Sequence, residues 1–222
     1  MKYSAIVLLG GSSKRFNGDG INKVYLEINH KPLFLYSVEA FLNDNDCEEV
    51  IVVYNKNDYD VLCKYVNDAR IKKIEGGEER YKSVLNGLKE VKSTYVLVHD
   101  GARPLINQEL ITKVKQALTS ADCVSLGLPV SDTIKQITDT GLSTIDRESL
   151  YQVQTPQTSV TSKLFDVLSK VKATDSITDD LMAFEKYSSV KPLIVLGDKK
   201  NIKITTVEDY EYVKYLMGKR NV

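Results

Sequence analysis

The sequence predicts an α/β fold in which helices cover both faces of a doubly wound, mostly parallel β-sheet. Short apolar segments alternate with segments of helical period, which is the pattern of strands joined by crossover helices. The apolar segments are almost continuous, as expected for strands covered on both faces. With 222 residues the chain can bury one sizeable core, so we expect a single domain over residues 1–222. The predicted strands are residues 3–9, 50–54, 95–99, 123–128 and 192–196.

Four segments between the strands carry apolar residues at helical spacing. Two of them begin with residues that favour a helix N-terminus, Asn107 and Thr206, and Asp209 stands three residues after Thr206 as a capping signal. The apolar positions of the four predicted helices are Tyr81, Val84, Leu85, Leu88 and Val91; Leu110, Ile111, Val114 and Leu118; Leu164, Val167, Leu168 and Val171; and Tyr210, Val213 and Leu216.

Residues 131–154 break this alternation. Their β-branched residues alternate with polar ones, and Thr140 and Gly141 form a turn signal, so we predict a hairpin that projects from the α/β body as a β-arm. A two-stranded ribbon is marginal in water by itself, and its apolar residues need a covering surface. We therefore expect a homodimer joined through the arm. The apolar residues concerned are Ile134, Ile137, Leu142, Ile145 and Leu150.

The composition excludes several classes of partner. Thirty basic residues balance thirty acidic ones, so no global field favours nucleic acid or an anionic membrane. The three cysteines, Cys47, Cys63 and Cys123, lack metal-ligand spacing and are expected to be buried, reduced thiols of a cytoplasmic protein. The apolar segment at the N-terminus is too short to cross a membrane.

In an open parallel sheet, ligands bind beyond the carboxyl ends of the strands. The first such segment is GGSSKRFNGDGINK, residues 10–23, in which small residues would let backbone amides approach an anion while Lys14, Arg15 and Lys23 surround a triphosphate. A glycine-rich surface loop without a ligand has a similar composition. The segment matches neither the GxGxxG pattern nor the P-loop pattern, so by itself it decides little.

The segment HDGARP follows the strand at residues 95–99. Asp100 would stand at the sheet edge as a ligand for Mg²⁺ bound to phosphates, or would cap the next turn. His99 at a strand end is typical of a hydrogen-bonded structural residue rather than of a base. Thr178 is either a site residue or a helix N-cap, and Lys203 is either a site residue or a solvated lysine.

Taken together, the segments occur in a specific order along nearly the whole chain. The motifs are GGSSKRF followed by NK, then GGEERYKSVLNGL, VHDGARP, PVSDTIK, DRESLYQVQTPQ, TDD and NIKIT. In this order they resemble the 2-C-methyl-D-erythritol 4-phosphate cytidylyltransferase family of the non-mevalonate isoprenoid pathway. The resemblance implies a Rossmann-like nucleotidyltransferase fold with a protruding β-arm.

The resemblance also implies a role for individual residues. Gly10, Gly11 and Arg15 would wrap the triphosphate, and Lys23 would bind the reacting phosphates. Cytosine recognition would fall to Gly77 and Ser83, and Asp100 would be the magnesium ligand. The substrate-phosphate side would be lined by Arg103, Thr133, Thr155 and Thr178. Arg147 and Lys203 would position the attacking phosphate, with Arg147 reaching the active site of the partner subunit. The chain departs from the usual family pattern at Ser13 and Phe16.

The reaction expected from the resemblance is magnesium-dependent transfer of CMP from CTP to 2-C-methyl-D-erythritol 4-phosphate. Its products are 4-diphosphocytidyl-2-C-methyl-D-erythritol and pyrophosphate, in isoprenoid precursor biosynthesis. Two alternatives remain open at this point. A ribitol-5-phosphate cytidylyltransferase of teichoic acid synthesis shares the first loop, the HD-x-x-RP core and QTPQ, and a non-catalytic nucleotide-binding regulator would keep the pocket without turnover.

Overall fold

The computed structural model describes residues 1–10 and 22–219, and within these ranges strands and helices alternate along most of the chain. The strands are β1 (Tyr3–Leu8), β2 (Glu27–Ile28), β3 (Lys31–Pro32), β4 (Cys47–Tyr54), β5 (Ile71–Glu75), β6 (Tyr95–Asp100), β7 (Cys123–Pro129), β8 (Ile134–Thr138), β9 (Gly141–Ile145), β10 (Tyr151–Val160) and β11 (Leu193–Leu196). The helices are α1 (Leu33–Leu42), α2 (Tyr59–Tyr65), α3 (Arg80–Leu88), α4 (Gln108–Ala117), α5 (Thr161–Ser169), α6 (Asp180–Tyr187) and α7 (Val207–Gly218).

Seven strands form the central sheet in the order β11-β7-β10-β6-β1-β4-β5. All neighbouring pairs are parallel except those of β10, which runs antiparallel to both β6 and β7. The predicted fold class, a mostly parallel α/β sheet, is therefore confirmed. All five predicted strands are present, with ends shifted by one to three residues.

The sheet separates two apolar clusters. Alternate residues of β1 point to opposite faces, so Ala5 and Val7 pack with α1, α2 and α4, while Ile6 and Leu8 pack with α3, α5 and α6. Because both faces are covered, all six residues of β1 are buried. A third cluster joins α7 to the β2–β3 hairpin, and it includes Ile28, Leu105 and Val213.

Helix termini follow local sequence signals where the signals are strong. Asn107 caps α4 by accepting a hydrogen bond from the Leu110 amide, and Thr206 and Asp209 form a capping box at α7, as predicted. By contrast, α3 ends at Leu88 and α5 at Ser169, so Val91 and Val171 lie beyond the helices to which their spacing assigned them. The N-cap of α6 is Asp179 rather than Thr178.

The edge formed by the carboxyl ends of the parallel strands positions the candidate site. Residues that follow β1, β5, β6 and β11 lie there, and they include Gly10, Gly77 and Lys203. Since β10 runs the other way, it contributes its first residues to the same edge, and these include Thr155. The sequence did not predict β10 as a sheet strand.

The arm is shorter than predicted, because residues 151–154 belong to β10 in the central sheet rather than to the predicted arm at about 131–154. The projecting hairpin consists of β8 and β9, which pair antiparallel with Ile137 opposite Leu142 and Ile134 opposite Ile145. By the two-residue period of strands these two pairs point to opposite faces of the ribbon, so the apolar residues do not share one face. The side chains of Ile137 and Leu142 are 85% and 71% exposed.

The three cysteines carry free thiols in the structure. Cys47 and Cys123 are buried, as predicted, whereas Cys63 is half-buried and lies near the Lys73 ammonium. Among the described residues, no helix has the length and apolarity needed to cross a membrane.

Candidate active site

A cleft runs along the carboxyl edge of the sheet as three adjoining cavities. The first has a volume of about 400 Å³ and is lined by Gly76, Gly77 and Ser83 among others. The second, of about 250 Å³, shares Gly77 and Ser83 with the first and adds Asp100. The third, of about 220 Å³, shares Arg80, Asp100 and Lys203 with the second. Because neighbouring cavities have wall residues in common, they form one continuous cleft.

The glycine turn after β5 forms one end of the cleft and is tied to the start of α3. The Gly77 amide donates to Ser83 Oγ at 3.0 Å, and the Ser83 hydroxyl donates back to the Gly77 carbonyl at 3.2 Å. A Cβ atom on Gly77 would lie 2.5 Å from Lys82 Cβ, so only glycine fits without movement of the helix. Glu79, the N-cap of α3, makes no side-chain cap, so within the described residues the first turn of this helix lies beside the cleft without a capping side chain from Glu79.

Three cations surround Asp100 in the middle of the cleft. Its carboxylate lies 2.9 Å from Lys203 Nζ, 3.8 Å from Arg103 Nε and 4.0 Å from Arg80 Nε. Burial alone would raise the pKa of Asp100, but the positive charges of Lys203, Arg80 and Arg103 outweigh it and hold that pKa well below its ordinary value. Asp100 is therefore ionised whenever the protein is folded at neutral pH.

Arg80 is the principal cleft residue that the sequence analysis missed. It is the first residue of α3, and its Nη1 and Nη2 atoms donate to the two carboxylate oxygens of Asp180 at 2.6 and 3.2 Å. Asp180 is buried at the start of α6, and its amide donates to Gln157 Oε1 at 2.8 Å. Burial raises the pKa of Asp180 although Arg80 acts in the opposite direction. The sequence around Arg80 is typical of a solvent-exposed charge at the start of a helix. Its buried partner, Asp180, is 100 residues away and is brought to it only by the fold.

A hydrogen-bonded chain fixes the backbone around Asp100. The Asp100 amide donates to Thr155 Oγ1 at 3.1 Å, and Thr155 Oγ1 lies 3.0 Å from His99 Nδ1. The other ring nitrogen, Nε2, lies 3.2 Å from the Arg103 carbonyl oxygen, which can only accept. His99 therefore carries its proton on Nε2 and accepts from the Thr155 hydroxyl at Nδ1. Thr155 lines the third cavity, and its buried hydroxyl is hydrogen-bonded to protein groups, so its contact with a substrate phosphate stays a prediction.

His99 is neutral in this arrangement. Burial lowers its pKa from the ordinary 6.5 to about 4, although the neighbouring Asp100 acts in the opposite direction. The prediction that His99 is a structural residue rather than a base agrees with this geometry.

Arg103 has one unsatisfied donor at the third cavity. Its Nη1 donates to the Asn201 carbonyl at 2.8 Å and its Nη2 to the Val153 carbonyl at 3.4 Å. Its buried Nε has no hydrogen-bond partner in the described part of the chain. The positive charge of Arg103, whose Nε lies 3.8 Å from the Asp100 carboxylate, would stabilise an anionic ligand at this end of the cleft.

The structure brings several other predicted site residues to the cleft and leaves some away from it. Gly10 and Lys203 line it, and Thr178 is an exposed residue on the wall of the third cavity. Lys23 opens a short 3-10 turn between residues 23 and 25. Gly11 and Arg15 lie outside the described residues.

Two predicted residues of the arm do not line the cleft. Thr133 is exposed just before β8, and Arg147 is exposed at the base of the arm, where its Nη1 donates to the Ser131 carbonyl at 2.6 Å. Neither residue is among those that line the three cavities. In the described part of one subunit, therefore, Thr133 and Arg147 lie away from these three cavities.

The residues of the cleft fit a magnesium ion that is held by one carboxylate together with the phosphates of a substrate. Among residues 1–10 and 22–219, no group of three or more histidine, cysteine, aspartate or glutamate side chains could form a metal cage. Mg²⁺ is commonly held through one or two carboxylates together with substrate phosphates, and Asp100 provides one ionised carboxylate in the cleft. The donor set therefore suits a cation that arrives with a nucleotide.

A parallel sheet that gathers cations and a buried carboxylate at its carboxyl edge is suited to phosphate-bearing ligands. The solved structures that resemble this chain include the crystal structure of 4-diphosphocytidyl-2C-methyl-D-erythritol synthase from Anaerococcus prevotii. It has a TM-score of 0.87 and 29% sequence identity, and the match covers 98% of this chain and 96% of that chain. Fold, site and these relatives together define a nucleotidyltransferase of the cytidylyltransferase class.

The particular family follows from the sequence comparisons. The family model of 2-C-methyl-D-erythritol 4-phosphate cytidylyltransferase matches residues 3–219, and the chain belongs to this family. Proteins of that name from Lachnospira eligens and Clostridium botulinum are each 38% identical to it. The first match covers 94% of this chain and 96% of the relative, and the second covers 97% and 99%.

Proposed function

We propose that this enzyme transfers CMP from CTP to 2-C-methyl-D-erythritol 4-phosphate and releases pyrophosphate, in isoprenoid precursor biosynthesis. The observation that carries the proposal is the continuous cleft with three cations around the buried Asp100 carboxylate. The names of the relatives support the choice of acceptor. The other product is 4-diphosphocytidyl-2-C-methyl-D-erythritol.

The cleft supports an order of binding along its length. The cytosine would lie at the glycine turn, where Gly77 and Ser83 line the first cavity and their oxygen atoms can still accept a hydrogen bond. The acceptor phosphate would lie at the opposite end, in the cavity lined by Arg103 and Thr178. The junction of the two ends is lined by Arg80, Asp100 and Lys203, so the transferring phosphate would stand there.

The proposed chemistry needs no covalent intermediate with the protein. An oxygen of the acceptor phosphate forms a bond to the α-phosphorus of CTP, while the bond from that phosphorus to the oxygen bridging to the β-phosphate breaks. The electron pair leaves with pyrophosphate. A phosphate monoester is already an anion, so no base must remove a proton, and the neutral, fully bonded His99 is not required for one.

The residues of the chain then act by position and charge. Lys203 lies at the junction, and Lys23 together with Arg15 is proposed to neutralise charge on the triphosphate. Removing one such donor typically costs roughly a hundredfold in rate. Asp100 would hold Mg²⁺, which when bound supplies charge neutralisation for the phosphates.

The test is a pyrophosphate-release assay with the purified enzyme and magnesium. CTP, UTP, ATP and GTP are each combined with 2-C-methyl-D-erythritol 4-phosphate or ribitol 5-phosphate. Release is expected with CTP and the methylerythritol acceptor. Equal or faster release with ribitol 5-phosphate would favour the teichoic acid enzyme, and CTP binding without release would favour a regulator.

We also propose that the enzyme is a homodimer in which the arm reaches the partner subunit. The Ile137–Leu142 pair lies on a two-stranded ribbon and is left largely exposed by the described residues of its own domain. A second copy related by two-fold symmetry would cover each arm in return. Arg147 and Thr133, which stand away from the cleft of their own subunit, would then belong to the cleft of the other.

A further inference from the structure

The three cations around Asp100 are not equivalent. Lys203 Nζ is in contact with the carboxylate at 2.9 Å, whereas Arg103 Nε and Arg80 Nε stand at 3.8 and 4.0 Å. The side chain of Lys203 is 44% exposed, against 10% for Arg103 and 23% for Arg80. The cation that touches Asp100 is thus the one with the most access to solvent.

The two arginines are anchored by other groups. Arg80 is held by both carboxylate oxygens of Asp180, and Arg103 by the carbonyls of Asn201 and Val153. Among the described residues, the structure gives Lys203 no carboxylate partner other than Asp100. Lys203 can therefore leave Asp100 without breaking another of these anchoring contacts, whereas Arg80 would break its ion pair with Asp180 and Arg103 would break two hydrogen bonds to backbone carbonyls.

The charges at this position disfavour a metal ion that arrives alone. A divalent cation at Asp100 would have to displace the Lys203 ammonium and would still lie near the fixed charges of Arg80 and Arg103. A nucleotide triphosphate changes this balance, because its phosphates bring several negative charges into the same cleft. The same phosphates would attract the displaced ammonium.

We propose that Lys203 is an internal counter-ion that holds the position of the divalent cation on Asp100 until the nucleotide binds. When the nucleotide binds, the ion pair between Lys203 and Asp100 breaks. The divalent cation then binds Asp100, and the Lys203 ammonium contacts the phosphates at the junction of the cleft. Cation binding and the placement of Lys203 are then one coupled event. This inference rests on the proposed function, since it assumes that Asp100 holds the magnesium ion.

The test measures Mn²⁺ binding by electron paramagnetic resonance of the free ion, in the absence of nucleotide. Lys203→Met removes the counter-ion, and it should tighten Mn²⁺ binding at least about fivefold relative to the parent enzyme. Lys200→Met is the matched control, because the exposed Lys200 lies on the same loop and has no contact with Asp100. It should leave Mn²⁺ binding within about twofold of the parent.

Equal Mn²⁺ affinity of Lys203→Met and Lys200→Met would overturn the proposal. Lys203→Gln repeats the measurement with a polar side chain, and circular dichroism spectra check that each variant is folded. The double variant Lys203→Met, Asp100→Asn should lose the increase in Mn²⁺ affinity. An increase that persists without the Asp100 carboxylate would also contradict the proposal.

A second titration separates this inference from the proposed function. With CTP present and no acceptor, the parent enzyme should bind Mn²⁺ tightly, and Asp100→Asn should weaken that binding. If neither happens, the proposed metal site fails together with the inference. If both happen while Lys203→Met leaves the nucleotide-free affinity unchanged, only the inference fails.

Discussion

Buried side chains beside the cleft determine how its residues are held. His99 joins the hydroxyl of Thr155 to the carbonyl of Arg103, and Thr155 in turn accepts from the amide of Asp100. Because both ring nitrogens of His99 have hydrogen-bond partners in this network, the neutral imidazole is the form that the folded protein stabilises. Protonation of His99 would break its bond with Thr155.

This predicts a dependence of stability on pH. The folded state lowers the pKa of His99 from 6.5 to about 4, so between these values the unfolded chain binds a proton that the folded protein does not. His99 should contribute a fall in the free energy of unfolding of about 1.4 kcal/mol for each pH unit as the pH drops through this window, and its contribution should be fully lost below about pH 4. Urea unfolding at several pH values measures it.

The control for this prediction is His30, the other histidine of the chain, which is exposed. His99→Gln should flatten the dependence between pH 6.5 and about 4, whereas His30→Gln should leave it as in the parent. Equal slopes for the two variants would show that His99 does not set the dependence.

The Arg80–Asp180 pair makes a second prediction. Asp180→Asn leaves the guanidinium of Arg80 largely buried with a neutral partner, and breaking a buried pair in this way should lower the free energy of unfolding by about 3 kcal/mol. Asp166→Asn removes a carboxylate from an exposed pair with Lys170 and should cost less than about 1 kcal/mol. Urea unfolding measures the free energy of unfolding of both variants. Similar decreases for the two would show that the buried Arg80–Asp180 pair stabilises the fold no more than the exposed pair does.

For individual residues, the sequence predicted those that lie at strand ends and missed those that are brought into contact only by the packing of distant helices. Asp100, Lys203 and Gly77 all lie in segments that leave strands, and the structure places them in one cleft. Their roles stay predictions. Arg80 and Asp180 are 100 residues apart, and no periodicity or motif links them.

Among the elements, the turn between β5 and α3 is the most constrained by geometry. A Cβ atom on Gly77 would collide with Lys82, and relief of the collision must shift either the helix start or the turn that bonds Ser83. Gly77→Ala should therefore raise the KM for CTP by about tenfold, the equivalent of one lost hydrogen bond. The KM for the acceptor should change little, because its proposed site is at the other end of the cleft.

Gly218→Ala provides the control, since a Cβ atom there meets nothing within 4 Å at the end of α7. It should leave both KM values unchanged. If Gly77→Ala changes the KM values for CTP and the acceptor equally, the glycine turn is not specific to the nucleotide end.

Element types were predictable where one period dominated. The strongly apolar strands and α4, with its N-cap at Asn107, follow from local pattern. The sequence did not predict helix α1 because the segment LFLYSVEAFL is apolar on most sides and shows no clear helical stripe. Its burial against β1 and β4 depends on tertiary packing. The strand β10 was read in part as arm, because its first residues continue the alternation that β9 begins.

For the whole molecule, the proposed homodimer gives the most distinctive prediction. Lys23→Ala and Arg147→Ala should each be inactive alone, because each lacks a proposed phosphate-binding cation. If Arg147 acts on the partner, mixed dimers contain one site with neither lesion, and the mixture should regain partial activity, up to about a quarter of the parent for random exchange. Pyrophosphate release after subunit exchange measures it.

Subunit exchange must be shown independently, for example with two differently labelled chains. Failure to recover activity despite proven exchange would mean that Arg147 serves its own chain or does not serve catalysis. The sequence could predict the arm from its alternation, but not which surface covers Ile137 and Leu142, since the proposed covering surface belongs to a second chain.

The most direct test of the proposed reaction follows both phosphorus-containing reactants at once. Phosphorus NMR of the enzyme with CTP, magnesium and 2-C-methyl-D-erythritol 4-phosphate should show the acceptor's monoester signal replaced by two coupled diphosphate signals. Pyrophosphate should appear in equal amount. Consumption of CTP while the acceptor signal persists, or no change in either reactant, would contradict CMP transfer by this cleft.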